Sequence, residues 1–196
     1  MNILIGIPTK GQIEIETAIS IANLQWDGHN ITYTHSNGAG VYGIAQARNN
    51  LVQQAIDGGY DKLFMIDSDM IVPEDAIIKL LDPDEPIVIG VARYKNDSMR
   101  VPIFTGVQDS SGTDSMIWDQ IPAGRVPFRT GGVACAMLDM SVFEAIPRPW
   151  FVWREQRNGA YLGEDIYFYE RALAAGFTPK ADGRVKCGHI GRKIYD

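Results

Sequence analysis

Lys62-Leu63-Phe64-Met65-Ile66 is a short apolar run that stops at Asp67-Ser68-Asp69. An uninterrupted apolar run bounded by turn residues describes a strand covered on both faces, as inside a mostly parallel sheet. At the carboxyl end of such a strand the chain leaves the core and can face a ligand crevice. Residues 67 and 69 lie one residue apart, so their carboxylates share one side of an extended chain. Together they can hold one hard divalent cation, or one takes the cation while the other holds a ligand hydroxyl. The plainer alternative is a solvated acidic turn.

The segments around this run alternate. Residues 2–7 read as a first buried strand, ended by Pro8-Thr9-Lys10-Gly11. Residues 13–24 follow as a helix, with Ile15, Ile19 and Ala22 or Asn23 at helical spacing. Residues 31–35 form a second, β-branched strand. Asn37-Gly38-Ala39-Gly40 is a flexible turn without the Gly-Lys-Ser/Thr context of a phosphate loop. Residues 42–57 form a helix whose apolar face is Ile44, Ala47, Leu51, Ala55 and Ile56, stopped by Gly58-Gly59. Arg48, Asn49 and Asn50 interrupt it with polar groups, which read as a solvated face. Beyond the acidic triplet, Pro73-Glu74-Asp75 opens a helix to about Leu81, with its acids at the favourable end. Residues 87–92 make another buried strand. This alternation implies parallel pairing and right-handed crossovers.

The second half is less regular. Residues 101–107, 116–118 and 126–129 are short, less buried strands, with a hairpin-like loop at 109–114. Thr130-Gly131-Gly132 leads into an apolar strand at 133–138, and Asp139 caps a short helix to Ala145. Residues 147–161 fit neither period. Their Trp150, Phe151, Trp153 and Tyr161 are either core anchors or a wall for a sugar or partner. Gly163-Glu164-Asp165 precedes an amphipathic helix at 166–175, ended by Gly176. Two short strands at 178–181 and 185–187 come before Gly188-His189-Ile190-Gly191. Glu164 and Asp165 are explained equally well by the helix dipole alone.

At 196 residues the chain is one domain, long enough to bury a core. A net charge of −6 argues against general nucleic-acid binding, which needs a basic face. Cys135 and Cys187 are too few for a disulfide scaffold and fit a reducing compartment. No apolar run approaches the ~18 residues of a membrane span. No basic segment with a cleavage site precedes the first strand. The expectation is a soluble cytoplasmic protein with no membrane span.

Taken in order, these motifs resemble the nucleotide-sugar glycosyltransferases of the GT-A fold, particularly the inverting family-2 type. The resemblance covers most of the chain. It runs through Ile7-Pro8-Thr9, Ala47-Arg48-Asn49, Ile66-Asp67-Ser68-Asp69, Thr130-Gly131-Gly132 and Gly163-Glu164-Asp165-Ile166-Tyr167-Phe168. Arg171, Ala175-Gly176-Phe177 and Gly188-His189-Ile190-Gly191 close it. It implies an α/β, single-domain, Rossmann-like nucleotide-binding fold. A mostly parallel central sheet would be flanked by helices, with a nucleotide-binding half at 1–92 and a small mixed acceptor and catalytic half at 93–196. The family's pattern makes Asp69, Asp67 and His189 the metal contacts, for Mn²⁺ or Mg²⁺, the oxygen and nitrogen set suiting Mn²⁺ better. Pro8, Thr9 and Arg48, with Asp67 near the ribose, would line the nucleotide pocket. Gly131 and Gly132 would let backbone approach the donor sugar. Asp165 would be the catalytic base, and Glu164 would hold acceptor or sugar hydroxyls. The implied donor is a UDP- or GDP-sugar, and the acceptor a glycan, glycoprotein or glycolipid. The departures are a short chain and the lack of an obvious second phosphate clamp, although Arg184, Lys186, Arg192 and Lys193 lie near His189.

Two other classes compete. A haloacid-dehalogenase-type phosphatase also places Asp-x-Asp after an apolar strand, the first Asp serving as nucleophile. Here two strand-helix units precede the motif, which normally lies near the start of the catalytic core. A non-catalytic sugar- or partner-binding domain on the same fold is the other.

Overall fold

A computed structural model of the chain describes residues 1–40, 43–96, 99–105, 115–156, 159 and 161–191. The expected hairpin-like loop at 109–114 lies outside them, as do Arg192 and Lys193. The first half alternates as β1 (Asn2–Thr9), α1 (Ile15–Ala22), β2 (Asn30–Asn37), α2 (Gly43–Asp57) and β3 (Lys62–Ile66). It continues with β4 (Met70–Ile71), α3 (Ala76–Leu80) and β5 (Ile87–Val91). The second half supplies β6 (Arg100–Phe104), β7 (Ser115–Ile117), β8 (Arg125–Pro127), β9 (Thr130–Gly131) and β10 (Cys135–Asp139). After them come α4 (Met140–Ala145), β11 (Arg154–Glu155), β12 (Tyr161–Leu162), α5 (Glu164–Ala174), β13 (Lys180–Lys186) and β14 (Gly188–His189).

Seven strands form the central sheet in the order β2-β1-β3-β10-β5-β13-β8. Pairing is parallel at β1–β2, β1–β3 and β5–β13, and antiparallel wherever β10 or β8 takes part. Five strands therefore point one way and two the other. β10 lies between β3 and β5, setting Ala136, Met137 and Leu138 opposite Met65, Phe64 and Leu63. The two halves of the chain thus interleave in one sheet rather than standing side by side. Small sheets β7-β6-β9, β11-β12 and β14-β4 lie outside it.

β3 is buried throughout, as a run apolar on both sides requires. Leu63 and Met65 face a core shared with Leu51, Phe143, Phe168 and Tyr169, while Phe64 and Ile66 face Ile21, Ile77 and Leu80. Lys62, at the start of the strand, is also buried. It donates to Asp84 at 2.5 Å and Asp139 at 2.7 Å. Asp139 caps α4 as expected, accepting from Ser141 N at 2.8 Å.

Several expectations are corrected. In α1, Ile15 and Ile19 are 70% and 56% exposed, and the buried residues are Thr17, Ser20 and Ile21. Both stripes have helical spacing. The second wins because Ser20 Oγ donates to Thr17 O at 2.9 Å and accepts from Val72 N at 3.2 Å, tying the helix to the chain beyond β4. The helix expected from Pro73 is confined to Ala76–Leu80. The two expected late strands are one, β13, whose register shifts between Ala181 and Lys186.

The aromatic segment divides between its two readings. Trp150 and Phe151 are 4% and 1% exposed, with Phe151 stacked on Phe168 at 4.9 Å. Asn49, expected on a solvated face, holds this segment. Its side-chain amide donates to Phe151 O at 2.7 Å and accepts from Trp150 N at 2.9 Å and Phe151 N at 3.2 Å. Replacing it leaves partly buried backbone groups unpaired, so Asn49→Ala should lose about 2–3 kcal/mol of stability. The shift in the urea midpoint at unchanged slope measures this.

Candidate functional site

β1 and β3 run parallel, so their carboxyl ends emerge together on one edge of the sheet. There Pro8, Thr9, Lys10, Asp67, Asp69 and Trp153 line a groove of about 670 Å³. That volume lies within the usual range of small-molecule sites. Thr9 folds one wall: its hydroxyl donates to Gln12 O at 2.5 Å and accepts from Gly11 N and Gln12 N, each at 3.0 Å. Gly11, at φ +100°, turns this loop where a side chain would be strained.

The acidic turn after β3 is pinned from three directions. Asp67 N donates to Ala134 O, Glu14 N donates to Ser68 O, and Ile190 N donates to Asp69 O, each at 2.9 Å. These bonds tie it to the approach of β10, the entry of α1 and the chain after β14. The turn is therefore not a freely solvated one.

Behind it lies Arg48, only 3% exposed. Its guanidinium donates to both oxygens of Asp67, at 3.0 and 3.2 Å, and to Glu164 Oε1. Burial alone would lower its pKa, but Asp67, Glu164 and Asp165 together raise it, so Arg48 stays charged. The solvated-face reading of residue 48 is thus corrected. The apolar face of α2 turns Arg48 inward, where a charge persists only beside carboxylates. Its Nε has no hydrogen-bond partner among the described residues.

Glu164 and Asp165 begin α5, with Gly163 ahead of them in extended conformation. Glu164 is 5% exposed and bound to Arg48, more than a dipole-favoured surface acid requires. The Asp165 carboxyl is pushed up to about 6, first by burial and then by the neighbouring Glu164 charge, against Arg48 and the N–H of Ile166. Its Oδ1 accepts from Ile166 N at 2.8 Å. A carboxyl so tuned exchanges protons near neutrality. Neither acid is among the described lining residues of the groove; Arg48 connects them to Asp67.

The expected metal contacts are only partly assembled. β14 pairs with β4 and sets His189 opposite Met70, beside the acidic turn. His189 Nδ1 lies 2.8 Å from Arg93 O, which can only accept, so Nδ1 carries hydrogen. In the neutral ring this leaves the Nε2 lone pair free, 3.7 Å from Asp69 Oδ1. That is the orientation a backbone carbonyl gives to metal-binding imidazoles. Lys95 holds the other Asp69 oxygen. Asp67 turns to Arg48 instead, and no group of three metal-ligating side chains occurs among the described residues. Asp69 and His189 are two side chains here that could hold a divalent cation, which would need its remaining ligands from outside these side chains.

Gly131 and Gly132 are not among the groove's described lining residues. A Cβ at Gly131 would meet Pro102 O at 2.9 Å, so its glycine is explained by β9 packing on β6, whereas at Gly132 there is room. Gly132 O accepts from the buried Tyr169 hydroxyl at 3.2 Å. Sequence reasoning missed Arg93, Tyr94 and Lys95. They carry no motif, only a run of polar and aromatic residues immediately beyond β5.

No protein-family model and no curated protein matches the chain. Among solved structures it is similar to A197 from STIV, a viral protein. The TM-score is 0.68 at 17% identity, with 98% of this chain and 87% of that chain covered. The two share a fold, an α/β domain with a mixed central sheet. Among the described residues no helix is long and apolar enough to cross a membrane.

Two outcomes follow from the buried charges. Arg48→Met removes the partner of buried Glu164 and should cost about 3–5 kcal/mol in urea unfolding. Asp165 has the opposite sign. Its folded pKa of about 6 exceeds the ordinary 3.8, so the fold holds more protons than the unfolded chain between these values. Wild-type stability therefore falls as pH rises through that window and then levels off. Asp165→Asn should gain stability relative to wild type between pH 3.8 and about 6, with a constant gain above, as melting temperatures across pH will report.

Proposed function

We propose that the protein is a metal-dependent glycosyltransferase with the GT-A arrangement. It moves a sugar from a nucleoside-diphosphate sugar to an acceptor hydroxyl, with inversion. The observation that carries this reading is the meeting of the Asp67-Ser68-Asp69 turn, through buried Arg48, with the paired acids of α5, beside the groove at the carboxyl ends of β1 and β3. Pro8 and Thr9 line the groove for the nucleoside. Arg48 does not face the ligand directly; it fixes Asp67 toward the groove and Glu164 behind it.

Asp69 and His189 would hold Mn²⁺ or Mg²⁺, which supplies Lewis-acid stabilisation to the departing nucleoside diphosphate. Asp165, deprotonated above pH 6, accepts the proton of the acceptor hydroxyl as its oxygen bonds to the anomeric carbon. The bond from that carbon to the phosphate oxygen breaks, and its electron pair leaves with the diphosphate. Glu164, held as a carboxylate by its ion pair with Arg48, sets the electrostatic surroundings of this base. The phosphatase alternative needs Asp67 as a free nucleophile, whereas Arg48 engages both its oxygens. The acceptor is a glycan, glycoprotein or glycolipid, and the two free cysteines suit work in the reducing cytoplasm.

Asp165→Asn should leave donor affinity within a few-fold while transfer falls by ~10²-fold or more. The wild-type rate should rise with pH through about 6 as the carboxyl deprotonates. Asp69→Ala should lose metal-dependent binding of UDP or GDP in calorimetric titration with Mn²⁺, with the fold retained. A fully active Asp165→Asn enzyme, or unchanged nucleotide affinity in Asp69→Ala, overturns the assignment of that residue.

A further inference from the structure

A second pocket, of about 390 Å³, shares no described lining residue with the groove and adjoins it through Lys95 and His189, which both reach Asp69. Arg93, Tyr94, Lys95, Trp118, Lys186 and His189 contribute to its wall, and no Asp or Glu is among its described lining residues. In a chain of net charge −6, such a local surplus of cations is a marked departure. Lys95 is neutralised by Asp69. Arg93 and Lys186 are not: among the described residues neither has a carboxylate within ion-pair distance.

Trp118 organises them instead. The Arg93 guanidinium lies 5.6 Å from its ring centroid, and the Lys186 ammonium lies 5.2 Å from it. A ring quadrupole attracts a cation without cancelling its charge. The two side chains come from separate elements, the segment after β5 and the end of β13, so one indole gathers what the fold brings close. Both remain exposed and able to donate.

We propose that this pocket is a second anion site, separate from the nucleotide groove, and that it binds a phosphate or carboxylate carried by the acceptor. Assigning the anion to the acceptor rests on the transferase reading, whereas the anion site itself does not. The two linings have no described residue in common, so a nucleoside seated in the groove would leave this pocket's wall uncovered. Tyr94 is a further wall residue whose hydroxyl can donate to a bound anion.

The test titrates inorganic phosphate into the full chain by calorimetry, alone and with saturating UDP and Mn²⁺. We expect phosphate to bind equally well in both conditions. Arg93→Gln combined with Lys186→Gln should weaken it ~10-fold or more, as loss of charge-assisted bonds implies, with UDP affinity within twofold. Trp118→Leu, which keeps both cations but releases them, should weaken phosphate less than the double substitution. If UDP with Mn²⁺ displaces phosphate and the double substitution weakens UDP, the pocket serves the donor diphosphate and the proposal falls. If phosphate affinity ignores the double substitution, the result is an adventitious ion only, and the proposal falls as well. Failure of the wild type to bind UDP or GDP with Mn²⁺ overturns the transferase reading and the acceptor assignment together. Phosphate binding lost in the double substitution would then still uphold the anion site.

Discussion

A single buried cation, Arg48, organises the edge of the sheet where the candidate site lies. Arg48 comes from the middle of α2, Asp67 from the end of β3 and Glu164 from the start of α5, and the buried guanidinium has both its carboxylate partners only when all three elements are in place. A guanidinium in this environment is tolerable because two carboxylates meet its fork. Such a contact adds little net stability compared with an apolar cluster of the same size. Its contribution is specificity: it fixes the direction of the Asp67 carboxylate and the depth of Glu164. The proton affinity of Asp165 then follows, since that carboxyl lies beside a charged Glu164 and within the field of Arg48.

The sheet explains why these three elements can meet. β10 enters antiparallel between β3 and β5, completing the pairing on which the buried β3 depends. Its approach segment bonds the Asp67 amide through Ala134 O, so a strand from the second half sets the geometry of a turn in the first. β14 does the same from the other side by pairing with β4, which brings His189 to Asp69. The acidic turn is held by chain from both directions of sequence.

Arg48 and Asn49 occupy neighbouring positions on α2 and do different work. Arg48 reaches the carboxylates, whereas Asn49 satisfies the backbone at Trp150 and Phe151. The aromatic segment is thereby fixed against Phe168 and Phe143 in the same core from which α5 presents Glu164 and Asp165. Trp153, three residues along, is left to line the groove. Two consecutive residues of one helix thus couple packing to the site.

The sequence by itself determined the elements whose signal is local. The apolar run of β3, its acidic end, the alternation of the first half, the Asp139 cap and the presence of α5, which begins two residues earlier than its apolar period suggests, all follow from periodicity and turn chemistry. Asp67, Asp69, Glu164, Asp165 and His189 stand out in the sequence only as polar groups at element ends; the structure joins Asp67 to Glu164 through Arg48 and brings His189 to Asp69. Only the tertiary structure decided which way side chains with two plausible environments would turn. Thr17 and Ser20 are buried while Ile15 and Ile19 are exposed, because β4 and its continuation cover one stripe of α1 and not the other. Asp67 faces Arg48 while Asp69 faces His189 and Lys95, a division that spacing alone cannot express. Arg93, Lys95 and Lys186 become one cationic wall only because β5 and β13 are parallel neighbours, and a contact between strands about ninety residues apart leaves no local trace in composition.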